Sequence, residues 1–335
     1  MTKIGYGTIL PGVALAILAS LAGFEVRAEA VEALAASARP IQWVDVKGGC
    51  FRLGEDGVYP EEGPPTEVCV EPFSLATHEI TVAQFAAFVA ATGHVTAAEK
   101  GWSDKTPRGE TVDVPAGSFI FEPRGRMRTL VDWWQYREGA FWLSPLGETS
   151  LGPAEAQNPV VHVAYGDAEA FARWAGGRLP TEAEWEWAAV SGAKADEAKT
   201  DDPQANTWQG IFPVQNTKAD GYAGVAPVGS FGPDALGLHD MIGNVWEWTA
   251  SIYYPRHGLA HESAAEGPGA HHPDGFDPGN PGRPVRVLKG GSYLCARSYC
   301  YRFRPAARQA QDRDLATSHI GFRIVANQAS VKPSR

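Results

Sequence analysis

Two cysteines near the carboxyl end constrain this chain more than any other feature. They lie in the run Arg286-Val-Leu-Lys-Gly-Gly-Ser-Tyr-Leu-Cys-Ala-Arg-Ser-Tyr-Cys-Tyr-Arg-Phe-Arg, which closes at Arg304. Cys295 and Cys300 are five positions apart. In a straight strand such positions face opposite sides, and in a helix they sit about 140° apart. The two sulfurs can converge only if the backbone bends between them, and Gly290-Gly291 just upstream permits unusual backbone angles. Arg297, Arg302 and Arg304 make the neighbourhood electropositive, which favours thiolate over thiol. The spacing leaves two readings open: a structural disulfide, which exported domains use freely, or a thiolate pair suited to a soft metal such as Cu(I).

The amino terminus points to export. Lys3 precedes an apolar stretch, Ile9 to Leu21, too short to span a bilayer comfortably. Ala28-Glu29-Ala30 fits a small-x-small cleavage site. Residues 1–30 are therefore expected to be a signal peptide, with an uncleaved membrane anchor as the alternative. Residues 31–43 read as a linker, of which the Ala-rich Val31 to Ser37 could also be a frayed helix, 44–327 as one domain and 328–335 as a tail. A formal charge of −10 argues against nucleic acid and anionic membranes as partners. With 37 Gly, 25 Pro and 11 Trp, the expected architecture is a compact, loop-rich domain packed by aromatic side chains, not a repetitive helical bundle.

Gln42 to Leu53 reads as a strand and Val68 to Leu75 as its hairpin partner, with Pro60 to Pro65 as the loop. A Cys50–Cys69 disulfide would close about 20 residues and contribute about 3 kcal/mol on the chain-entropy estimate. Thr81 is the expected N-cap of a helix running to Ala91, with Phe85, Phe88 and Val89 on its buried face and Gly93 as its stop. Residues 101–157 read as irregular, their Trp133-Trp134 and Trp142 serving either a peptide surface or a satellite core. Asp167 to Trp174 is a second helix. Thr181 with Glu184 forms a capping box for a third, whose Glu182, Glu184 and Glu186 share no metal-binding face. Asn206-Thr-Trp-Gln-Gly with Asp220-Gly-Tyr, and Asp240-Met-Ile-Gly-Asn-Val, are oxygen-rich loops that suit Ca²⁺ or simply make turns. His257, His261, Glu262, His271 and His272 sit in a Gly/Pro-rich insertion and are expected to be a solvated surface loop, although their spacing imitates an iron-binding histidine cluster.

Several of these runs carry a resemblance. Gly177-Arg-Leu-Pro-Thr-Glu-Ala-Glu-Trp-Glu, Asn206-Thr-Trp-Gln-Gly, Gly243-Asn-Val-Trp-Glu-Trp, Lys289-Gly-Gly-Ser-Tyr-Leu-Cys-Ala-Arg-Ser-Tyr-Cys-Tyr-Arg and Gly321-Phe-Arg are similar to those of the formylglycine-generating enzymes, the sulfatase-modifying factors. The resemblance implies that family's C-type-lectin-like α+β fold. It also implies a copper-dependent oxidase that uses O₂ to convert the cysteine of a Cys-x-Pro-x-Arg segment in an unfolded sulfatase to formylglycine. On this reading Cys295 and Cys300 hold Cu(I), Ser292 and Trp246 line an oxygen pocket, and Tyr299 and Arg302 support it. Two structural Ca²⁺ sites follow: one from Asn206 and Asp220 with the carbonyls of Thr207 and Tyr222, one from Asp240 with the carbonyls of Met241, Gly243 and Val245. Ala296 departs from relatives that carry His beside the first cysteine. Nothing in the sequence requires more than a monomer. The alternatives are an inert binding or accessory module of the same fold, and a different periplasmic peptide-tailoring oxidase.

Overall fold

The computed structural model describes residues 26–105, 109–123, 133–193, 205–258 and 274–327. Residues 1–25 of the expected signal segment 1–30, the tail 328–335 and His261, Glu262, His271 and His272 lie outside the described residues. Among those described, no helix is long and apolar enough to cross a membrane.

The first strand pair shows how local chemistry sets geometry. One continuous strand over Gln42–Leu53 was the expectation, but the ladder breaks in two. Trp43–Val46 pairs with Phe73–Ala76, and Gly49–Leu53 pairs with Thr66–Val70. The break falls at Lys47-Gly48 opposite Glu71-Pro72, where Pro72 has no N–H to give to a ladder. Cys50 lies directly opposite Cys69, and the two are bonded.

Helix Val82–Thr92 begins as its capping box requires. The Thr81 hydroxyl accepts from the Gln84 N–H at 3.2 Å, and the Gln84 side chain accepts from the Thr81 N–H at 3.0 Å. Gly93 ends it in the left-handed conformation. Phe85, Phe88 and Val89 are buried against Trp142, Phe171 and Phe322. Helix Glu182–Gly192 starts with the same reciprocal pair between Thr181 and Glu184.

Two four-stranded sheets carry the rest. The first runs in the order Trp43–Val46, Phe73–Ala76, Val325–Ala326, Gly177–Arg178. The second runs Gln309–Asp312, Val285–Lys289, Trp246–Ile252, Ile320–Gly321. Both contain a segment from the last twenty or so residues described, so the carboxyl end closes both layers. The main core lies between them and the helices, around Trp142, Trp246, Trp248 and Phe322.

Two expectations need correcting. Residues 101–157 are not simply irregular: Trp102–Lys105 pairs with Thr111–Val114, and Gly117–Phe121 pairs with Trp134–Glu138. The second hairpin is held by directly opposed aromatic pairs, Phe119 with Tyr136 and Phe121 with Trp134, rather than by a simple apolar alternation. The segment read as a linker also contributes to the core. A helix spans residues 26–35, where Leu34 is fully buried and Val31 nearly so.

The sheets are joined by a fully buried ion pair. Arg323 donates Nε and Nη2 to the Glu247 carboxylate, each at 2.7 Å, and Nη2 also reaches the His239 carbonyl at 2.9 Å. Trp185 Nε1 donates to the same carboxylate at 2.8 Å. Removing one partner strands the other charge in the interior. Arg323→Met is therefore expected to cost about 3–5 kcal/mol of unfolding free energy. Chemical denaturation of the variant beside the parent protein would measure this; a loss under about 1 kcal/mol would mean the pair is not holding the sheets together.

Candidate functional site

The loop from Gly290 to Arg304 builds the site. Gly291 has φ 77, and a Cβ there would come within 2.9 Å of the Phe303 backbone, so the chain can double back on itself only at glycine. Beyond it, Cys295 N–H donates to the Ser292 carbonyl and Cys300 N–H to the Ala296 carbonyl, at 2.8 and 2.9 Å. These turns supply the bend that the five-residue spacing demands. The sulfurs converge to 3.2 Å and are not bridged.

Cys295 is buried, while Cys300 is partly open. A single proton between them settles on the inner sulfur. The hydrogen bond to Cys300, followed by burial, pushes the Cys295 thiol well up. The same bond, helped by the Arg302 guanidinium, lowers Cys300 to about 7. The pair therefore presents one thiolate near neutral pH, on the accessible side.

That thiolate opens into a cleft of ≈ 420 Å³. All six residues expected at the site line it: Trp246, Ser292, Cys295, Tyr299, Cys300 and Arg302. Ser292 is fully buried, and its hydroxyl accepts from the Leu294 N–H at 3.3 Å. Trp246 is held at the end of the strand whose next residue is Glu247, the partner of Arg323. Tyr299 stacks on Phe212 with centroids 4.6 Å apart and meets Trp133 edge-on. Of the tryptophans left open between core and surface, Trp142 joins the core while Trp133 and Trp134 line the cleft.

The opposite wall comes from the tip of the first hairpin. Arg302 lies over the Tyr59 ring at 4.1 Å and donates to Glu61 at 2.6 Å. The Tyr59 hydroxyl accepts from the Tyr301 N–H, and Arg304 pairs with the fully buried Glu62 at 2.7 Å.

The two oxygen-rich loops sit side by side. Asp220 accepts from the Thr207 and Tyr222 N–H groups, at 3.2 and 3.0 Å, gathering one expected set. Asn206 is buried and donates its amide to the Gly224 carbonyl. Gly243 has φ 78 and a Cβ there would lie 2.2 Å from the Asn206 carbonyl oxygen, so glycine alone lets the second loop touch the first. Asp240 is buried, accepts from the Gly229 N–H at 2.6 Å and shares its surroundings with Glu79. Met241 and Val245 are buried beside it. Among the described residues, no three His, Cys, Asp or Glu side chains gather as a metal cluster, so each set leans on amide and carbonyl oxygens. His257 is buried, not solvated: its ring lies 3.5 Å from Glu182, within a network in which Glu182 also meets Arg308 and Glu186 meets Lys289.

The sulfatase-modifying factor enzyme 1-like domain matches residues 29–328. A formylglycine-generating enzyme of Mycobacterium tuberculosis is 46% identical over 297 residues, spanning 86% of this chain and 98% of its own. The chain belongs to the formylglycine-generating, sulfatase-modifying factor family. A mouse relative called inactive Cα-formylglycine-generating enzyme 2 is 33% identical over 309 residues, covering 86% of this chain and 87% of its own. Among solved structures, PvdO from Pseudomonas aeruginosa shares the fold with a TM-score of 0.54 at 22% identity, over 86% of this chain and 95% of that one.

Sequence reasoning missed four contributors to this family member's site. Tyr59, Glu61 and His319 reach it only through the fold, His319 stacking on Trp134 with its Nδ1 2.9 Å from the Thr317 hydroxyl. Burial holds His319 neutral down to about 3. Glu79 is fully buried with one carboxylate oxygen unpartnered; burial and the neighbouring Asp240 push its carboxyl well up. A glutamate within a helix-preceding Thr-His-Glu-Ile run carries no local signal of that role.

A direct check follows from the sulfur pair. In metal-free protein, iodoacetamide is expected to alkylate Cys300 first, at a rate that rises through pH about 7 as the thiolate forms. Arg302→Gln should move that rise to higher pH, because the cation stabilises the charged form. Peptide mapping at a series of pH values reads both; alkylation first at Cys295 would contradict the assignment.

Proposed function

We propose that this protein is a formylglycine-generating oxidase: it converts the CH₂SH group of a cysteine in a Cys-x-Pro-x-Arg segment of an unfolded sulfatase to an aldehyde, a two-electron oxidation in which O₂ takes up the electrons, the C–S bond breaks with loss of H₂S and water supplies the aldehyde oxygen. The observation that carries the reading is the unbridged Cys295–Cys300 pair, 3.2 Å apart at the floor of an aromatic cleft, in a chain of this family. An inert module would have no need to keep two thiols this close and unbridged beside an open cleft.

The donor set fits Cu(I): two soft sulfurs with no competing carboxylate among the cleft-lining side chains. Bound there, Cu(I) would supply the redox chemistry with O₂ and leave room for a third sulfur, that of the substrate. The chain's own residues do the rest. Cys300 offers a thiolate near neutral pH, and Arg302 balances the added negative charge. Ser292 holds the turn that carries Cys295, its carbonyl accepting from the Cys295 N–H at 2.8 Å. Trp246, Tyr299, Phe212 and Trp133 make the walls apolar, which excludes water and strengthens the electrostatic influence of Arg302. An extended peptide can lie along these rings, its own cysteine pointing to the sulfur pair. The Cys50–Cys69 bond accords with export to an oxidising compartment, where the substrate would be met before it folds.

We assign structural Ca²⁺ to the two oxygen-rich loops, with Asn206, Thr207, Asp220 and Tyr222 at one and Asp240, Met241, Gly243 and Val245 at the other. The unpartnered, buried Glu79 oxygen beside Asp240 supports the second. Two buried carboxylates in one place are costly without a cation between them, so Glu79 completes that site.

Purified protein loaded with Cu(I) is expected to convert a Cys-x-Pro-x-Arg peptide in air, read by mass spectrometry as replacement of CH₂SH by CHO. Cys295→Ser and Cys300→Ser should each abolish conversion and weaken Cu(I) binding while leaving the circular dichroism unchanged. Full activity in either variant would remove the copper assignment. For calcium, EDTA should lower the melting temperature and added Ca²⁺ restore it, with a smaller response in Glu79→Gln. An equal response in that variant would take Glu79 out of the site.

A further inference from the structure

The cleft is open to solvent and is lined by side chains from several separate segments. Five extended residues span roughly 17 Å, and the polypeptide that carries the motif continues beyond them in both directions, over the rim.

One stretch of rim is conspicuously apolar and exposed. Gly210–Ile211 and Gln215–Asn216 form a two-stranded hairpin whose turn is closed by the Val214 N–H donating to the Ile211 carbonyl at 2.8 Å. Phe212, inside this turn, lines the cleft and stacks on Tyr299 and Phe121. Ile211 and Val214 flank Phe212-Pro213 in this turn and, unlike Phe212, stand open to solvent. They are 65% and 75% exposed, the two most exposed large apolar residues among those described. Trp208 braces the hairpin from behind, its Nε1 donating to the Gln215 carbonyl at 3.1 Å while its ring packs edge-on against Phe212. The exposed pair does not line the cleft itself but is carried by the braced turn whose Phe212 does. Other exposed apolar residues, such as Leu146, Val190 and Trp174, adjoin no cleft-lining residue in the sequence.

We propose that Ile211 and Val214 form a second docking point for the substrate polypeptide: an apolar shelf that binds hydrophobic residues flanking the modified cysteine. It rests on the functional reading above and adds a preference to it. A folded surface rarely presents contiguous apolar side chains, whereas an unfolded chain does so along its length. The shelf therefore favours unfolded polypeptides over folded ones carrying the same motif, and does so without any contact to the reacting cysteine. Its continuity with the cleft through Phe212 is what assigns it to this occupant.

The test compares wild type with an Ile211→Ser/Val214→Ser variant on three peptides in the copper-loaded enzyme: the bare motif, the motif between Val/Leu-rich flanks, and the motif between Gly/Ser flanks of equal length. KM for the apolar-flanked peptide is expected to rise roughly ten-fold in the variant, with kcat and both other peptides unchanged. Equal KM values for wild type and variant on the apolar-flanked peptide overturn the shelf. An equal rise on all three also overturns it, since that reports damage to the cleft. The same peptides with Ser in place of the reacting Cys, labelled and titrated by fluorescence anisotropy, repeat the comparison without turnover. If wild type converts none of the peptides, the oxidase reading fails, and anisotropy still decides the shelf by the same criterion.

Discussion

The architecture depends on one salt bridge that water never reaches. Glu247 and Arg323 are each fully buried, and between them they bind Trp185 and the main chain at Ala76, Thr77, His239 and Asp240. An ion pair pays its desolvation only when its geometry is nearly complete, and here two of the guanidinium nitrogens meet carboxylate oxygens at 2.7 Å. The consequence is positional. Glu247 is the neighbour of Trp246 in the cleft wall, and Asp240 belongs to the second oxygen-rich loop. The same pair that joins the sheets sets the distance between the sulfur centre and that loop.

Around this frame the site divides its labour by depth. Cys295 and Ser292 are buried at the floor of the cleft, where the hydrogen bond to Cys300 and then burial keep the inner thiol protonated. Cys300 lies one layer out, and the proton it does not hold makes it the reactive partner. Aromatic rings form the walls, so nearly all polarity in the cleft is confined to the sulfurs, Ser292, Arg302, Gln309 and His319. His319, kept neutral by burial, adds hydrogen-bonding capacity there without adding charge.

How much of this could be read in the chain depended on how local each cause was. The capping boxes at Thr81 and Thr181, the helix they start and the convergence of Cys295 with Cys300 follow from interactions within a few residues, and the sequence carries them openly. The hairpin Gly117–Phe121 with Trp134–Glu138 was not legible, because its strands are specified by aromatic partners across the ladder and not by alternation within each. Glu79 looked like an ordinary residue before a helix; its importance comes from Asp240, far away in sequence. His257 sat in a stretch rich in Gly and Pro, yet Glu182 draws it inside. Composition predicts solvation on average, whereas a single buried carboxylate decides the individual case.

The contacts of Glu61 and Glu62 with Arg302 and Arg304 span 241 and 242 positions of sequence. Closing so long a loop is entropically costly until other contacts have drawn the ends together. A chain emerging from its amino end can pack its first hairpin, tied by Cys50 and Cys69, on helix Glu182–Gly192, but the hairpin's tip, Tyr59 to Glu62, must wait for Arg302 and Arg304 until almost the whole protein has been made. Only then does Tyr59 meet Tyr301 and the wall beside Cys300 exist. The order of synthesis thus separates the two kinds of cysteine in time: Cys50 and Cys69, 19 positions apart, both exist before Cys295 and Cys300 have been made.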